Sequence, residues 1–185
     1  MVAKIVSVNV GDIRSVIWNG NEIITGFFKN SVPGQVKLRR LGLAGDTQAD
    51  LKVHGGANKA VYAYPSEHYE YWKERLQSNL SWGYFGENLT TQNMLENSVH
   101  VGDQFRIGSV EAVVTQPRFP CYKLGVRVGD MSMVRKFQAS GRCGFYMAVI
   151  KEGELAEGDV IELVHQDTTN PTIAEIFMSQ AIHQS

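Results

Sequence analysis

Apolar residues along this chain fall mostly into short runs of β type, and the helical spacing appears in only a few places. Lys4–Val10, Ser15–Trp18, Ile23-Ile24 and Gln35–Leu38 read as strands, separated by Gly11, Asn19-Gly20 and Pro33-Gly34. Asn19-Gly20 between two apolar runs predicts a two-residue hairpin turn, because both positions tolerate positive φ. Ala60–Tyr64 predicts a further strand. Pro65-Ser66 then opens a helix from Glu67 to about Gln77, with Tyr69, Trp72 and Leu76 on one face. Val99–Ile107 and Val110–Thr115 predict two strands joined at Gly108-Ser109. Asp130 caps a helix over Met131–Ala139 that Gly141 ends. Gly144–Ile150 and Val160–Val164 close the β pattern, with a turn at Glu152-Gly153. Thr172-Ile173-Ala174-Glu175 has the form of a capping box that starts a last helix. Many short strands with few helices predict a mainly β fold, closed or nearly closed into a barrel with peripheral helices.

Composition narrows the class. The chain has 185 residues, fits one domain over 1–185, and carries 18 Lys plus Arg against 19 Asp plus Glu. A near-zero net charge with no basic face excludes a nucleic-acid polymer as an expected partner. No stretch approaches a membrane span, and Met1–Val8 lacks the form of a signal peptide, so the expectation is a cytoplasmic protein without a membrane partner. The two cysteines, Cys121 and Cys143, are expected to be reduced thiols. Neither Cys-x-x-Cys nor His-Glu-x-x-His occurs, which argues against a structural zinc site.

Candidate chemistry concentrates in three segments. In Gln116-Pro117-Arg118-Phe119-Pro120-Cys121-Tyr122-Lys123-Leu124, a thiol follows a proline that stiffens the backbone and disfavours a helix there, and it lies between two cations. Cations beside a thiol favour the nucleophilic, metal-binding thiolate. In Lys52-Val53-His54-Gly55-Gly56, consecutive glycines suit a loop whose N–H groups cradle an anion, with His54 as donor or general acid; a tight turn capped by His54 is the other reading. In Phe85-Gly86-Glu87-Asn88-Leu89, Glu87 is suited to orient His54, accept a proton or bind the ring N–H of a heterocycle. Asn88 is suited to the same heterocycle edge, and a cap or surface turn is again the alternative. Arg118, Lys123 and Arg142 are the candidate anion clamps. Cys143 leads into an apolar run and reads as buried packing, with a resolving thiol as the alternative. Asp46 and Asp50 read as turn residues that satisfy backbone N–H groups.

The same three segments resemble MOSC domains, the module named for the C-terminal part of molybdenum cofactor sulfurase. The resemblance rests on Pro117-Arg118 through Leu124, on Gly42-Leu43-Ala44-Gly45-Asp46 through Gly56, and on Phe85 through Leu89, and it spans roughly 40–150. It implies a β-rich barrel and a molybdenum cofactor, a pterin whose dithiolene holds the metal and whose tail ends in phosphate. It implies Cys121 as a ligand of that molybdenum or a persulfide carrier, with His54 and Glu87 as catalytic partners. Gly55, Gly56, Asn88, Arg118, Lys123 and Arg142 would then bind the cofactor. The activity implied is reduction of N-hydroxylated compounds such as hydroxylaminopurines and amidoximes. Electrons would come from separate redox proteins, because the chain carries no flavin fingerprint or iron–sulfur cysteine set. A sulfur-carrier or cofactor-holding module without turnover is the alternative. Members linked to 6-hydroxylaminopurine resistance often carry a further C-terminal helical segment, for which this sequence is too short.

Overall fold

The computed structural model describes residues 2–47 and 56–182. The strand β1 (Ala3–Val10) is followed by the hairpin β2 (Arg14–Trp18) and β3 (Asn21–Thr25). Asn19 and Gly20 turn that hairpin at φ 49° and 78°, as the Asn-Gly pair predicts. Then come β4 (Asn30–Ser31), β5 (Val36–Arg39), β6 (Gly42–Leu43), a 3-10 turn at Ala57–Lys59 and β7 (Val61–Pro65). The helix α1 (His68–Leu76) leads to β8 (Leu89–Gln92), β9 (Gln104–Ile107) and β10 (Val110–Pro117). Two helices, α2 (Tyr122–Val128) and α3 (Met133–Ser140), precede β11 (Phe145–Lys151), β12 (Gly153–Leu155), β13 (Val160–His165) and α4 (Ile173–Ile182).

Seven strands close on one another in the order β1, β13, β9, β10, β11, β7, β8 and back to β1. An odd number of strands cannot alternate in direction all the way round a closed sheet, so an odd number of pairings must be parallel. Here it is β7 with β8, and α1 supplies the crossover that a parallel pair requires. The barrel interior is filled by Ile5, Val8, Leu89, Ile107, Val110, Ala112, Val114, Phe145 and Met147. A second, aromatic core lies under α1, α2 and α3, where Tyr64, Tyr69, Trp72, Phe85 and Phe137 meet Leu124 and Met133. Trp72 and Phe137 stack with centroids 5.5 Å apart and planes inclined by 9°.

Outside the Cys121 loop, the structure departs from the sequence pattern in four places. Val99–Ile107 is a strand only from Gln104, because the buried Asp103 carboxylate accepts the His100 N–H at 2.8 Å and curls the chain into a turn. Leu89–Gln92, which the sequence leaves in a loop, is the strand that completes the barrel. The turn expected at Glu152-Gly153 becomes β12, paired with β5. The third helix begins at Met133, with Asp130 accepting the Ser132 N–H at 2.8 Å just before it. The capping box at Thr172 forms in full: Glu175 Oε2 accepts the Thr172 N–H at 2.8 Å, and Thr172 Oγ1 accepts the Glu175 N–H at 3.2 Å.

Candidate functional site

The longest barrel strands, β1 and β10, bring the Cys121 loop out beside the segment that follows β3. Strand β10 ends at Pro117, whose missing N–H leaves that rung of the ladder open. The chain then stays pinned to β11 through one bond, Arg118 N–H to the Gly144 carbonyl at 3.2 Å. Cys121 is extended, at φ −121° and ψ 170°, and is the residue from which α2 starts. That helix is a correction to the expectation of a non-helical loop: Pro120 stops helix formation before Cys121 but not after it, and Leu124, Gly125 and Val126 are buried.

Arg118, Phe119, Cys121 and Lys123 line one open cavity. Its other described lining residues are Thr25, Gly26, Phe27, Lys29, Thr47, Lys59, Tyr62, Gly86, Asn88 and Tyr146. Four cations line it, and none of these residues carries a carboxylate. Lys29 is buried and paired with Asp46, and burial lowers its pKa against the attraction of that partner. Asp46 also accepts the Gly11 N–H at 2.9 Å and the Asn88 side-chain amide at 2.8 Å. It is a turn residue, as expected, and it also neutralises the cavity's buried lysine.

Arg118 is the anomaly in this wall. Its residue surface is 3% exposed, yet its Nη1 has no hydrogen-bond partner and no carboxylate pairs with it among the described residues. Its guanidinium is surrounded by the rings of Tyr62, Phe137 and Phe27 at 5.3, 5.4 and 5.7 Å. Burial opposes its charge, but the neighbouring ionisable groups Tyr62, Tyr146 and Cys121 favour it and raise its pKa above the ordinary arginine value. Tyr146 supplies one side-chain hydrogen bond, but a buried charge with a bare N–H and no opposite charge among the described residues is costly unless something arrives to satisfy it.

The sequence candidates separate once they are placed. Arg118, Cys121, Lys123 and Asn88 share the cavity. Asn88 builds the wall: its Oδ1 accepts the Tyr62 N–H at 3.1 Å and its Nδ2 donates to Asp46. Gly56 takes φ 96° and starts the 3-10 turn that carries Lys59 to the cavity. His54 and Gly55 lie outside the described residues, as does Asp50. Glu87 does not line the cavity and does not have the free carboxylate that the catalytic expectation requires. Its oxygens accept from Tyr69 Oη, from the Gly83 N–H at 2.8 Å, from Thr90 Oγ1 at 2.9 Å and from the Phe85 N–H at 3.1 Å. Arg142 is also displaced. Gly141, at φ 69°, turns the chain so that Arg142 stacks on Tyr71 at 3.7 Å and donates to the Ser140 carbonyl at 3.1 Å, away from the cavity. Sequence reasoning missed Lys29, Lys59, Tyr62 and Tyr146. The tyrosines sit on strands, where alternation reveals a face but not a cavity.

Cys143 is fully buried, and burial together with nearby Glu96 pushes its thiol pKa well up. Cys121 is half-buried and faces the cavity. Iodoacetamide near neutral pH is therefore expected to label Cys121 in the native protein and Cys143 only after denaturation, read by peptide mass spectrometry. Equal labelling of the two in native protein would contradict the placement.

A MOSC domain model matches residues 50–162. The sequence is 42% identical over 161 residues to the uncharacterized protein YflK of Bacillus subtilis, covering 87% of this chain and 73% of that one. The chain is a MOSC-domain protein. The crystal structure of YiiM from Geobacillus stearothermophilus matches this MOSC fold with a TM-score of 0.82 and 30% identity, covering 99% of this chain and 86% of that one. A Gibberella moniliformis protein described as a reductase is 34% identical over 151 residues, which is 80% of this chain and 27% of that one. The MOSC domain thus corresponds to about a quarter of that longer chain. Among the described residues no helix is long and apolar enough to cross a membrane.

Proposed function

We propose that this MOSC-domain protein binds the molybdenum cofactor in the Cys121 cavity and reduces N-hydroxylated compounds to amines. The observation that carries the reading is the buried, unpartnered Nη1 of Arg118, a residue that lines the same cavity as Cys121. The residues fit the group. A phosphate-tailed ligand supplies the anion that Arg118 lacks, with Lys123 and Lys59 as further cations at the wall. Cys121 offers one soft sulfur ligand. Phe27, Phe119 and Tyr146 offer aromatic surface for a planar ring.

When bound, the cofactor supplies the two-electron couple. The reaction consumes two electrons and two protons, breaks the N–O bond and releases the amine and water. The chain's own part is to hold the anionic end on Arg118, present the Cys121 sulfur and surround the reacting group with rings that exclude water. The reductase description of the fungal relative supports an enzyme. The electrons come from separate redox proteins in this reading.

The test uses protein produced in cells that make the cofactor, a chemical reductant and an amidoxime or hydroxylaminopurine. Amine formation by wild type and its loss in Cys121→Ser is the expected result. A molybdenum-loaded wild type that forms no amine, while Cys121 accepts persulfide sulfur from a desulfurase, would replace this reading with the carrier one.

A further inference from the structure

Glu96 is a buried carboxylate outside the cavity, 5% exposed, and the described residues around it give it an unusual set of tasks. Both of its oxygens face Nε2 of the equally buried His68, at 2.8 and 3.0 Å. Its Oε1 also accepts the Gly144 N–H at 2.7 Å. Gly144 is the residue whose carbonyl holds the Arg118 N–H. There is no slack at that point, because Gly144 adopts φ 64° and a side chain there would meet the Ala63 carbonyl at 2.4 Å.

A second route leaves the same residue through its main chain. The Glu96 carbonyl accepts the Ala174 N–H at 3.0 Å in the first turn of α4. That helix carries Phe177, which is fully buried and stacks on Phe119 at 4.8 Å and 21°. Phe119 immediately follows Arg118. Glu96 therefore holds the Arg118 segment from both sides, through Gly144 by its side chain and through α4 by its backbone. A buried ionisable pair is a poor stabiliser compared with apolar packing of the same volume, and its best-attested use is to fix one geometry over others.

We propose that Glu96, clamped by His68, is the positioning residue that sets Arg118 in the anion-binding wall of the cavity. This inference rests on the reading of that wall as an anion site, and inorganic phosphate is the probe that tests both. By calorimetry at low salt, wild type binds phosphate, Glu96→Gln stays within about twofold because its amide oxygen still accepts from Gly144, and Glu96→Leu weakens binding about tenfold. The Gly144 amide resonance shifts on phosphate addition in wild type and in Glu96→Gln, and the Glu96→Leu protein loses that response. Should Glu96→Leu fail to fold, His68→Gln and His68→Leu give the same contrast one step back, since only the glutamine donates to the carboxylate. A wild type that binds no phosphate would overturn the anion site and the positioning role with it. Phosphate binding of wild-type strength in Glu96→Leu, or in His68→Leu if that is the variant that folds, would overturn the positioning role alone.

Discussion

Replacing Arg118 with methionine is expected to stabilise the fold and to abolish anion binding. The guanidinium is enclosed by Tyr62, Phe137 and Phe27, and its Nη1 has no partner among the described residues. An unbranched apolar side chain suits that ring-lined space and removes a buried charge that no carboxylate pairs among the described residues. Exchanging buried charge for apolar packing is neutral to stabilising by roughly 1–4 kcal/mol. Loss of a desolvated charged contact to a ligand costs about 2–5 kcal/mol, which is about 30-fold or more in affinity. Thermal unfolding without ligand should therefore show an equal or higher midpoint for Arg118→Met, and phosphate titration should show binding lost. A lower midpoint with phosphate binding retained would mean that the arginine serves the fold and not a ligand.

Glu87 predicts the opposite pattern. Replacing it with leucine strands the Gly83 and Phe85 N–H groups and the Tyr69 hydroxyl in a fully buried place. Each unsatisfied buried donor costs about 1–3 kcal/mol. The expected loss is on the order of 4 kcal/mol, and at about 2–4 °C per kcal/mol for a chain of this size the midpoint falls by roughly 10 °C. The carboxyl also has a pH signature. Burial raises its pKa above 4.5, against the opposing donors Tyr69, Gly83 and Thr90. The native state thus holds this proton more tightly than the unfolded state, so Glu87's contribution to stability falls as pH rises from the ordinary carboxylate range through the raised native value. Glu87→Gln should remove that slope from the pH dependence of unfolding. A variant that unfolds like wild type but has lost all reductase activity would return Glu87 to the catalytic list.

The two residues show what the sequence can and cannot carry. Arg118 was legible because its neighbours Pro117, Pro120 and Cys121 form a motif whose chemistry is local. Glu87 was visible as a chemical group, but between Gly86 and Asn88 a carboxylate reads the same whether it faces a ligand or staples a loop. Only its donors decide, and Tyr69 comes from a helix 18 residues earlier. The placement of Arg142 is hidden for a related reason: adjacency to Gly141 and Cys143 gives no direction, and the positive-φ turn sends it to Tyr71. The barrel was legible because strand alternation is a one-residue property. Helix α2 was not, since Pro120 marks a break while Gly125, a poor helix former, occupies its middle. Lys29 carries no local signal, because its meaning comes from Asp46, which lies across the cavity wall.

We propose that this cavity holds a molybdenum cofactor through the Cys121 sulfur and the Arg118 cation. The direct measurement is metal content by mass spectrometry, on wild type, Cys121→Ser and Arg118→Met purified from cells that make the cofactor. Molybdenum should accompany the wild type together with a pterin recoverable as its fluorescent oxidation product, and both should be lost from the two variants. Wild-type protein free of molybdenum and pterin, or full retention in both variants, would contradict it.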